Sequence, residues 1–412
     1  MNDSHAAALK AWLAARRDAQ TRFLTELVKV PSDNPPGDCA AHAQRTAQLL
    51  EGLGFSVERH PVPEDTVKAN GMISCTNLVV RQKFGTGGPT IALNAHGDVV
   101  PPGLGWSTDP YGGEVREGKM YGRGVAVSKS DFATYAYALL ALRELKAPLN
   151  GAVELHFTYD EETGGEIGPK WLLDHKLSTP DLAIGAGFSY SITTAHNGCL
   201  HLEVEVIGKS GHAAMPERGI DALEAANAIL TDLYEYRKAL ARIHSTIAGI
   251  GHPTLVVGLI EGGINTNVVP DRVVFRLDRR INPSEDAASA ERELKQMIEL
   301  SALRQAGISV NVRRVLLARP FIPLPGQERL VLALRNGARA AFGIELETGG
   351  VPIYTDARHY SEAGIPIVLY GCGPRTLEEA NGHRADENIR LTDLYGATET
   401  VALALAELLG AA

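Results

Sequence analysis

In the stretch TIALNAHGD (Thr90–Asp98), a short apolar run ends at a polar sequence that contains a histidine and an aspartate. The stretch VELHFTYDEE (Val153–Glu162) has the same form, an apolar run that ends at three acidic residues. The amphipathic segment Phe132–Leu145 lies between them and predicts a helix that connects two buried strands. This alternation predicts an α/β fold with a mostly parallel sheet that is covered by helices.

A different pattern follows in the middle of the chain. Apolar and polar residues alternate over Leu200–Ile207, and the segments after this strand read as helix, strand, strand, helix and strand. This order predicts a small antiparallel sheet with two helices on one face, an α+β unit of ferredoxin-like type. Helix–strand alternation returns from Gln327 onward. We therefore predict an α/β domain that is interrupted by an insertion, with a first part at 1–197, the inserted domain at 198–315 and a second part at 316–412.

The amino-acid composition and charge argue against several classes of protein. The 412 residues carry a formal net charge of −9, and because surfaces that bind nucleic acid are usually basic, no nucleic-acid partner is expected. No apolar run approaches the roughly 18–20 residues that cross a bilayer, and the polar N-terminus does not resemble a secretion signal. We expect a soluble, cytoplasmic protein without a membrane partner. The cysteines are too few and too scattered for a disulfide scaffold or a cysteine-based zinc site, and they are Cys39, Cys75, Cys199 and Cys372.

Three polar segments are candidates for chemistry. His96 and Asp98 follow the first strand, where the carboxylate could orient the imidazole as a metal ligand, although a plain polar turn would look the same. Glu161 and Glu162 follow the second strand and could divide metal binding and proton transfer between them, or form a solvated acidic loop. His383 lies in a later loop and by itself is typical of an exposed residue. Because loops at the ends of strands in one α/β sheet converge, the three segments together predict a hydrolytic metal site.

The chain as a whole resembles the zinc hydrolase family of aminoacylases, carboxypeptidases, acetylornithine deacetylases and succinyl-diaminopimelate desuccinylases. The resemblance runs nearly end to end and rests on ordered motifs, which are PSDNPPG (31–37), HGD (96–98), GRG (122–124), DEE (160–162), GKSGHAA (208–214), GGINTNVVP (262–270), TDAR (355–358) and His383. It implies a catalytic α/β domain and an inserted lid domain through which such proteins form homodimers. It also implies hydrolysis of C–N bonds in small molecules.

The resemblance further implies a role for each matching residue of the catalytic domain. His96 corresponds to a ligand of the first metal ion, and Asp98 to the residue that orients it. Glu161 corresponds to the general base that takes a proton from water. Glu162 and His383 correspond to ligands of the second metal ion.

Three residues of the inserted domain match family positions that contact the substrate. His212 resembles a histidine that reaches across the dimer to the oxyanion of the tetrahedral intermediate. Asn267 and Arg280 match positions that hold the substrate, the arginine often pairing with a carboxylate. Without the resemblance, structural roles would be favoured, such as an ion pair between Arg280 and Asp278.

Two metal ligands of the family pattern are missing here. Val127 occupies the position of the aspartate that bridges both metals, and Ala186 occupies the position of a glutamate that completes the first site. Two cations a few Å apart without a bridging carboxylate would repel each other by on the order of several kcal/mol, even at an effective dielectric constant near 20. We therefore expect one metal ion, held by some of His96, Glu162 and His383, with zinc as the default and manganese or cobalt as alternatives.

The residues thus predict a metal-dependent hydrolase of amide, peptide-like or amidine-like C–N bonds, of the deacylase or dipeptidase type, with Glu161 as the general base. The expected substrate is a small molecule that carries a carboxylate. A metal-free hydrolase and a catalytically silent dimeric binding protein are the alternatives. Asp131 lies one helical turn after Val127 and could supply a displaced carboxylate, directly or through water.

Overall fold

The computed structural model describes residues 3–146 and 148–410, which divide into two units. The first unit comprises the chain up to Thr194, Pro323–Gly349 and the chain from Thr355 onward, and the second comprises Ala195–Ile322 and Gly350–Tyr354. The α-helices are α1 (Asp3–Ala14), α2 (Arg17–Val28), α3 (Ala40–Gly52), α4 (Glu64–Ala69), α5 (Lys129–Glu144), α6 (Pro169–Asp174), α7 (Ala222–Leu240), α8 (Ala287–Ala302), α9 (Gln327–Phe342), α10 (Ala357–Glu362) and α11 (Leu391–Leu408).

The strands are β1 (Val57–Pro61), β2 (Thr76–Lys83), β3 (Thr90–His96), β4 (Glu114–Arg116), β5 (Lys119–Tyr121), β6 (Ala152–Thr158), β7 (Leu182–Gly185), β8 (Ser191–His196), β9 (Gly198–Ile207), β10 (Gly211–His212), β11 (Thr254–Gly262), β12 (Val268–Val269), β13 (Arg272–Ile281), β14 (Ser309–Ala318), β15 (Glu347–Val351), β16 (Ile367–Leu369) and β17 (Asn388–Arg390).

The first unit is built on a large sheet with the strand order β1-β2-β6-β3-β7-β16-β8-β15. Its central strands β6, β3, β7 and β16 are parallel, while β1 and β2 pair antiparallel at one edge. The two predicted strands are β3 and β6, which lie side by side, and the predicted helix between them is α5. Both strands are almost wholly buried, which explains why their sequences are apolar without a clean alternation. The α/β fold with a mostly parallel sheet is thus confirmed.

The packing of α5 against this sheet fixes the positions at which β3 and β6 end. The ring of Phe132 on α5 stacks on Phe157 of β6, with ring centroids 3.9 Å apart. In the parallel ladder His96 is paired with Thr158, so β3 and β6 end at the same edge. The polar residues that follow the two strands therefore leave the sheet close together.

The second unit contains a four-stranded antiparallel sheet in the order β11-β13-β9-β14. The alternation predicted in β9 is confirmed, since Leu200, Leu202, Val204 and Val206 are fully buried and the intervening side chains are not. Helices α7 and α8 cover the apolar face, with Ile229 and Leu294 among the core residues. The predicted order of strands and helices in this part of the chain is likewise present.

Long, apolar helices of the kind that cross bilayers do not occur among residues 3–146 and 148–410.

Candidate active site

His96 is the last residue of β3, and its side chain is buried. Its Nδ1 lies 2.9 Å from the backbone oxygen of Asp98 and 3.3 Å from Asp98 Oδ1. An N–H at Nδ1 that donates to Asp98 leaves Nε2 with a free lone pair, as a metal ligand requires. Burial alone would lower the pKa of His96, but the negative charges of Glu161 and Asp98 raise it well above its usual value. The same charges would attract a cation.

Asp98 also holds the loop after β6 in place. Its Oδ1 accepts the backbone N–H of Glu161 at 3.2 Å, and its Oδ2 accepts that of Glu162 at 3.1 Å. The amide of Asn34 donates to the same Oδ2 at 3.0 Å. These contacts fix a short 3₁₀ turn over Glu161–Thr163. The orientation of both acidic side chains therefore depends on the carboxylate of Asp98.

Glu162 faces His383. Its Oε1 lies 3.4 Å from His383 Nε2, and the Glu162 carboxylate raises the pKa of His383. The contact with His383 does not meet the geometry of a hydrogen bond, and no other described residue donates to this buried Oε1. His383 is half-exposed and has a φ of 62°, a left-handed conformation that is uncommon for a non-glycine residue. The loop thus turns the imidazole toward an acidic group that lacks a donor.

These side chains fit a divalent cation. One ligand atom each from His96, Glu161 and Glu162 lies within 4.8 Å of the others, and His383 adjoins Glu162. Two imidazoles and a carboxylate, from His96, Glu162 and His383, are a donor set that zinc accepts in hydrolytic sites. A cation bound there would lower the pKa of a bound water and polarise a carbonyl group.

Glu161 has the properties of a proton acceptor. Its carboxylate is largely buried, with Oε2 4.0 Å from His96 Nε2. Burial, together with the charges of Glu162 and Asp98, raises the pKa of Glu161 to about 8, although the His96 imidazole opposes the shift. A carboxyl group tuned in this way can accept and return a proton near neutral pH.

Two further buried acids surround the site, and the sequence pattern alone predicts no role for either. Asp356 precedes α10, and burial together with the charge of Glu161 raises its pKa well above the usual range. Asp160 precedes Glu161, and burial together with the charge of Asp356 does the same to its pKa. Both lie in quoted motifs, but their convergence with Asp98 could not be read from spacing. A cation bound nearby would favour the ionised forms of both acids.

The two substituted ligand positions adjoin the end of β3. The backbone N–H of Ala186 donates to Asn94 at 2.8 Å, and the residue after Val127, Ser128, contacts the backbone of His96 through its hydroxyl. Neither the valine nor the alanine side chain offers a donor atom. Neither position therefore supplies the carboxylate that the resemblance in sequence implies there.

Asp131 is buried in the first turn of α5, and its Oδ1 accepts the backbone N–H of Cys372 at 2.7 Å. Burial raises the pKa of Asp131 to about 7. Among the described residues, it is not part of the group of ligand atoms at His96. One of its oxygens is thus committed to the backbone.

The remaining predicted residues belong to the second unit. His212 lies in β10, and its Nδ1 accepts the backbone N–H of Ala214. Asn267 precedes β12, which pairs with β10, so the structure brings it close to His212. Arg280 lies on β13, where its Nε donates to Asp278 at 3.0 Å.

Comparison with known proteins identifies relatives over most of the chain. The model of peptidase family M20/M25/M40 matches residues 92–407. A succinyl-diaminopimelate desuccinylase of Rhodospirillum centenum is 28% identical, covering 90% of this chain and 93% of that protein. An acetylornithine deacetylase of Proteus mirabilis is 32% identical, covering 83% of each.

The fold is shared with solved structures. An M20 family metallo-carboxypeptidase from Sulfolobus solfataricus superimposes with a TM-score of 0.76 at 18% identity, over 95% of this chain and 98% of that one. The motifs, the fold and the match to the family model agree, so this chain belongs to peptidase family M20/M25/M40.

Proposed function

We propose that this protein hydrolyses a C–N bond, of amide, peptide-like or amidine-like type, in a small molecule that carries a carboxylate. The observation that supports this most directly is the convergence of His96, Glu161 and Glu162, whose ligand atoms lie within 4.8 Å of one another beside His383. Relatives named for removal of succinyl and acetyl groups from amines support the same bond type. A divalent metal is the cofactor that this donor set favours.

In this proposal the site at the end of β3 holds one ion, bound by His96, Glu162 and His383. With Val127 and Ala186 in place of carboxylates, a second cation would stand near the first with too little negative charge between them. Zinc suits these ligands best, and manganese and cobalt are the alternatives that a metal exchange experiment covers.

In this proposal, different side chains of the protein have different roles in the reaction. Asp98 orients His96 and anchors the acidic loop, and Glu161 receives a proton from water and passes it to the leaving amine. His212 of the partner subunit steadies the developing oxyanion, and Asn267 and Arg280 hold the substrate, as their matches to family positions suggest. Arginine recognises a carboxylate through paired N–H groups, which favours an acidic substrate.

The experiment compares variants over a panel of N-acyl amino acids and dipeptides with added Zn, Mn or Co. We expect Glu161→Gln to lose turnover by about 100-fold or more while it still binds metal, because only the proton acceptor is removed. Glu162→Gln loses metal and turnover together. The exposed Glu64→Gln serves as a control, with unchanged turnover. Ligand-dependent stabilisation without any turnover would instead favour the silent binding protein, and turnover that survives chelation would favour the metal-free hydrolase.

A cytoplasmic homodimer that forms through the inserted domain completes the proposal. Strand β11 is an edge of the second unit's sheet, and it exposes Leu259 (62%) and Ile260 (53%) to solvent. An exposed apolar edge strand is a surface that a second copy can cover. We expect Leu259→Lys to shift the mass in light scattering from dimer to monomer. The control Leu303→Lys, at an exposed site at the end of α8, should leave the dimer intact.

A further inference from the structure

A second group of metal-binding side chains lies in the second unit, on the face of its sheet opposite α7 and α8. Cys199 and His201 are two residues apart on β9, so both point to the same face. On the neighbouring strand β13, Asp278 is the direct partner of His201 in the antiparallel ladder. The three side chains therefore project from adjacent positions of a rigid sheet.

Their donor atoms converge on one point. His201 Nε2 lies 3.2 Å from Cys199 Sγ and 3.0 Å from Asp278 Oδ2, and the sulfur lies 3.7 Å from the same oxygen. In a tetrahedral zinc site with bonds of about 2.0–2.3 Å, neighbouring ligand atoms are roughly 3.3–3.6 Å apart. The observed separations match this spacing to within a few tenths of an ångström.

The geometry differs from that of a nucleophilic triad. In a triad, one imidazole nitrogen faces the nucleophile and the other faces the carboxylate. Here both Cys199 Sγ and Asp278 Oδ2 face the same nitrogen, Nε2 of His201. A single N–H could be shared between them, but a cation would satisfy all three atoms at once.

We propose that Cys199, His201 and Asp278 bind a divalent cation of the zinc type, separate from the ion at His96. The three residues combine a thiolate, an imidazole and a carboxylate, which zinc accepts together. On binding, the Cys199 thiol releases its proton to solvent, and His201 binds through the lone pair of a neutral ring. His201 and Asp278 are about one-third exposed, so a water or a substrate group can complete the coordination.

Arg280 supports this site from the other side of the carboxylate. Its Nε donates to Asp278 Oδ1, which leaves Oδ2 directed at His201 and Cys199. Burial would raise the pKa of Asp278, but His201 and Arg280 outweigh it and keep the carboxylate ionised. Before a cation binds, the charges of the Asp278 carboxylate and the Arg280 guanidinium balance, and loss of the Cys199 thiol proton on binding gives the group a net charge of −1. Partners outside the ligand set that orient a metal-binding group are typical of such sites.

Cobalt(II) tests the proposal with a readout other than activity. A thiolate bound to cobalt gives an intense charge-transfer absorption in the near ultraviolet, whereas the donors at His96 include no sulfur. We expect the full-length protein, kept reduced with a phosphine, to develop this band on titration with cobalt. Cys199→Ser and His201→Gln should abolish the band and lower the bound metal by one equivalent. Cys75→Ala, which removes a buried cysteine of the first unit, should retain it.

The outcomes separate this site from the proposed catalytic one. Glu162→Gln should keep the thiolate–cobalt band, because it alters only the ligands near His96. Circular dichroism of each variant shows whether it is folded. If one of the two ligand variants, Cys199→Ser or His201→Gln, does not fold, the other still tests the proposal. A protein that binds cobalt without the band, or a band that persists in Cys199→Ser, would overturn the proposal.

Discussion

The carboxylate of Asp98 lies 3.3 Å from Nδ1 of His96, and the same carboxylate accepts the backbone N–H groups of Glu161 and Glu162. One buried side chain thus sets the orientation of an imidazole at the end of β3 and of the acidic turn after β6. The two halves of the candidate metal site are therefore coupled through a residue outside the proposed set of ligands.

Substitution of this residue tests the coupling. We expect Asp98→Asn to lower the affinity for zinc by roughly 10–100-fold, because the amide carries no charge and presents an N–H group toward the donors of the acidic turn. Competition with a chromophoric chelator measures the affinity. Asp65→Asn, at an exposed position on α4, is the control and should bind zinc like the unmodified protein. Equal affinity in both variants would contradict the role of Asp98.

Restoring the two missing carboxylates should restore a second metal ion. In the Cys199→Ser background, which isolates the catalytic site, we expect one equivalent of zinc, and two after Val127→Asp combined with Ala186→Glu. Val127 is partly exposed, so a carboxylate there would not be cut off from solvent. Elemental analysis of dialysed protein gives the stoichiometry, and Val115→Asp is the matched control at an exposed site. Two equivalents before the substitutions would refute the single-metal site.

Asp131 should make the protein less stable as the pH rises. Burial raises the pKa of Asp131 to about 7, so between about pH 4 and pH 7 the folded state holds a proton that the unfolded state has released. The stabilisation from this group is present below about pH 4 and is lost as the pH rises through 7. Asp131→Asn cannot titrate and still accepts the N–H of Cys372 through its amide oxygen.

We therefore expect the free energy of unfolding of Asp131→Asn, relative to the unmodified protein, to increase from pH 5 to pH 8. The gain is on the order of 1–4 kcal/mol. Urea unfolding in the presence of a chelator measures it without a contribution from metal binding. Asp38→Asn, at an exposed position, is the control for the loss of one carboxylate, and a difference for Asp131→Asn that is independent of pH would argue against a protonated Asp131.

The loss of stability caused by close packing at Gly165 can be measured separately from the loss caused by its backbone conformation. Gly165 has a φ of 71°, and a Cβ there would collide with Asp356 Oδ1 and His359 Nε2. Gly71 has a similar φ of 75° but open space around it. We expect Gly71→Ala to cost about 1–2 kcal/mol of unfolding free energy from strain alone, and Gly165→Ala to cost roughly 1–3 kcal/mol more. Equal losses in the two variants would show that Asp356 can move away.

The sequence pattern predicted the presence of strands and helices more accurately than the burial of the polar residues at their ends. The predicted helix Phe132–Leu145 is α5, but α5 begins at Lys129, and Lys129, Ser130 and Asp131 are all buried. Three polar residues at a helix start are typical of an exposed end. Here they are buried because Asp131 accepts the N–H of Cys372 and Lys129 donates to Val30. Such contacts join segments far apart in the chain, which periodicity does not report.

The prediction that the cysteines form no zinc site was drawn from their number and spacing, and it stays a prediction. The structure nevertheless brings Cys199 close to two other side chains that can bind a metal. Cys199 and His201 are close in sequence, but Asp278 is 77 residues from His201 and reaches it only through the register of β13 against β9. The pairing of two strands decides which of their side chains face each other, and a shift by one residue would turn Asp278 to the opposite face.

The amino-acid sequence alone determined the order of strands and helices, the inserted α+β unit and the family, because local periodicity and ordered motifs carry that information. It also singled out His96, Asp98, Glu161, Glu162 and His383. Only the tertiary structure decided that these side chains meet, that buried carboxylates such as Asp356 surround them, and that Asp131 bonds to a backbone amide instead. The reason is physical: distances between loop ends and the burial of a charge depend on strand register and packing between distant segments, which no local stretch of sequence contains.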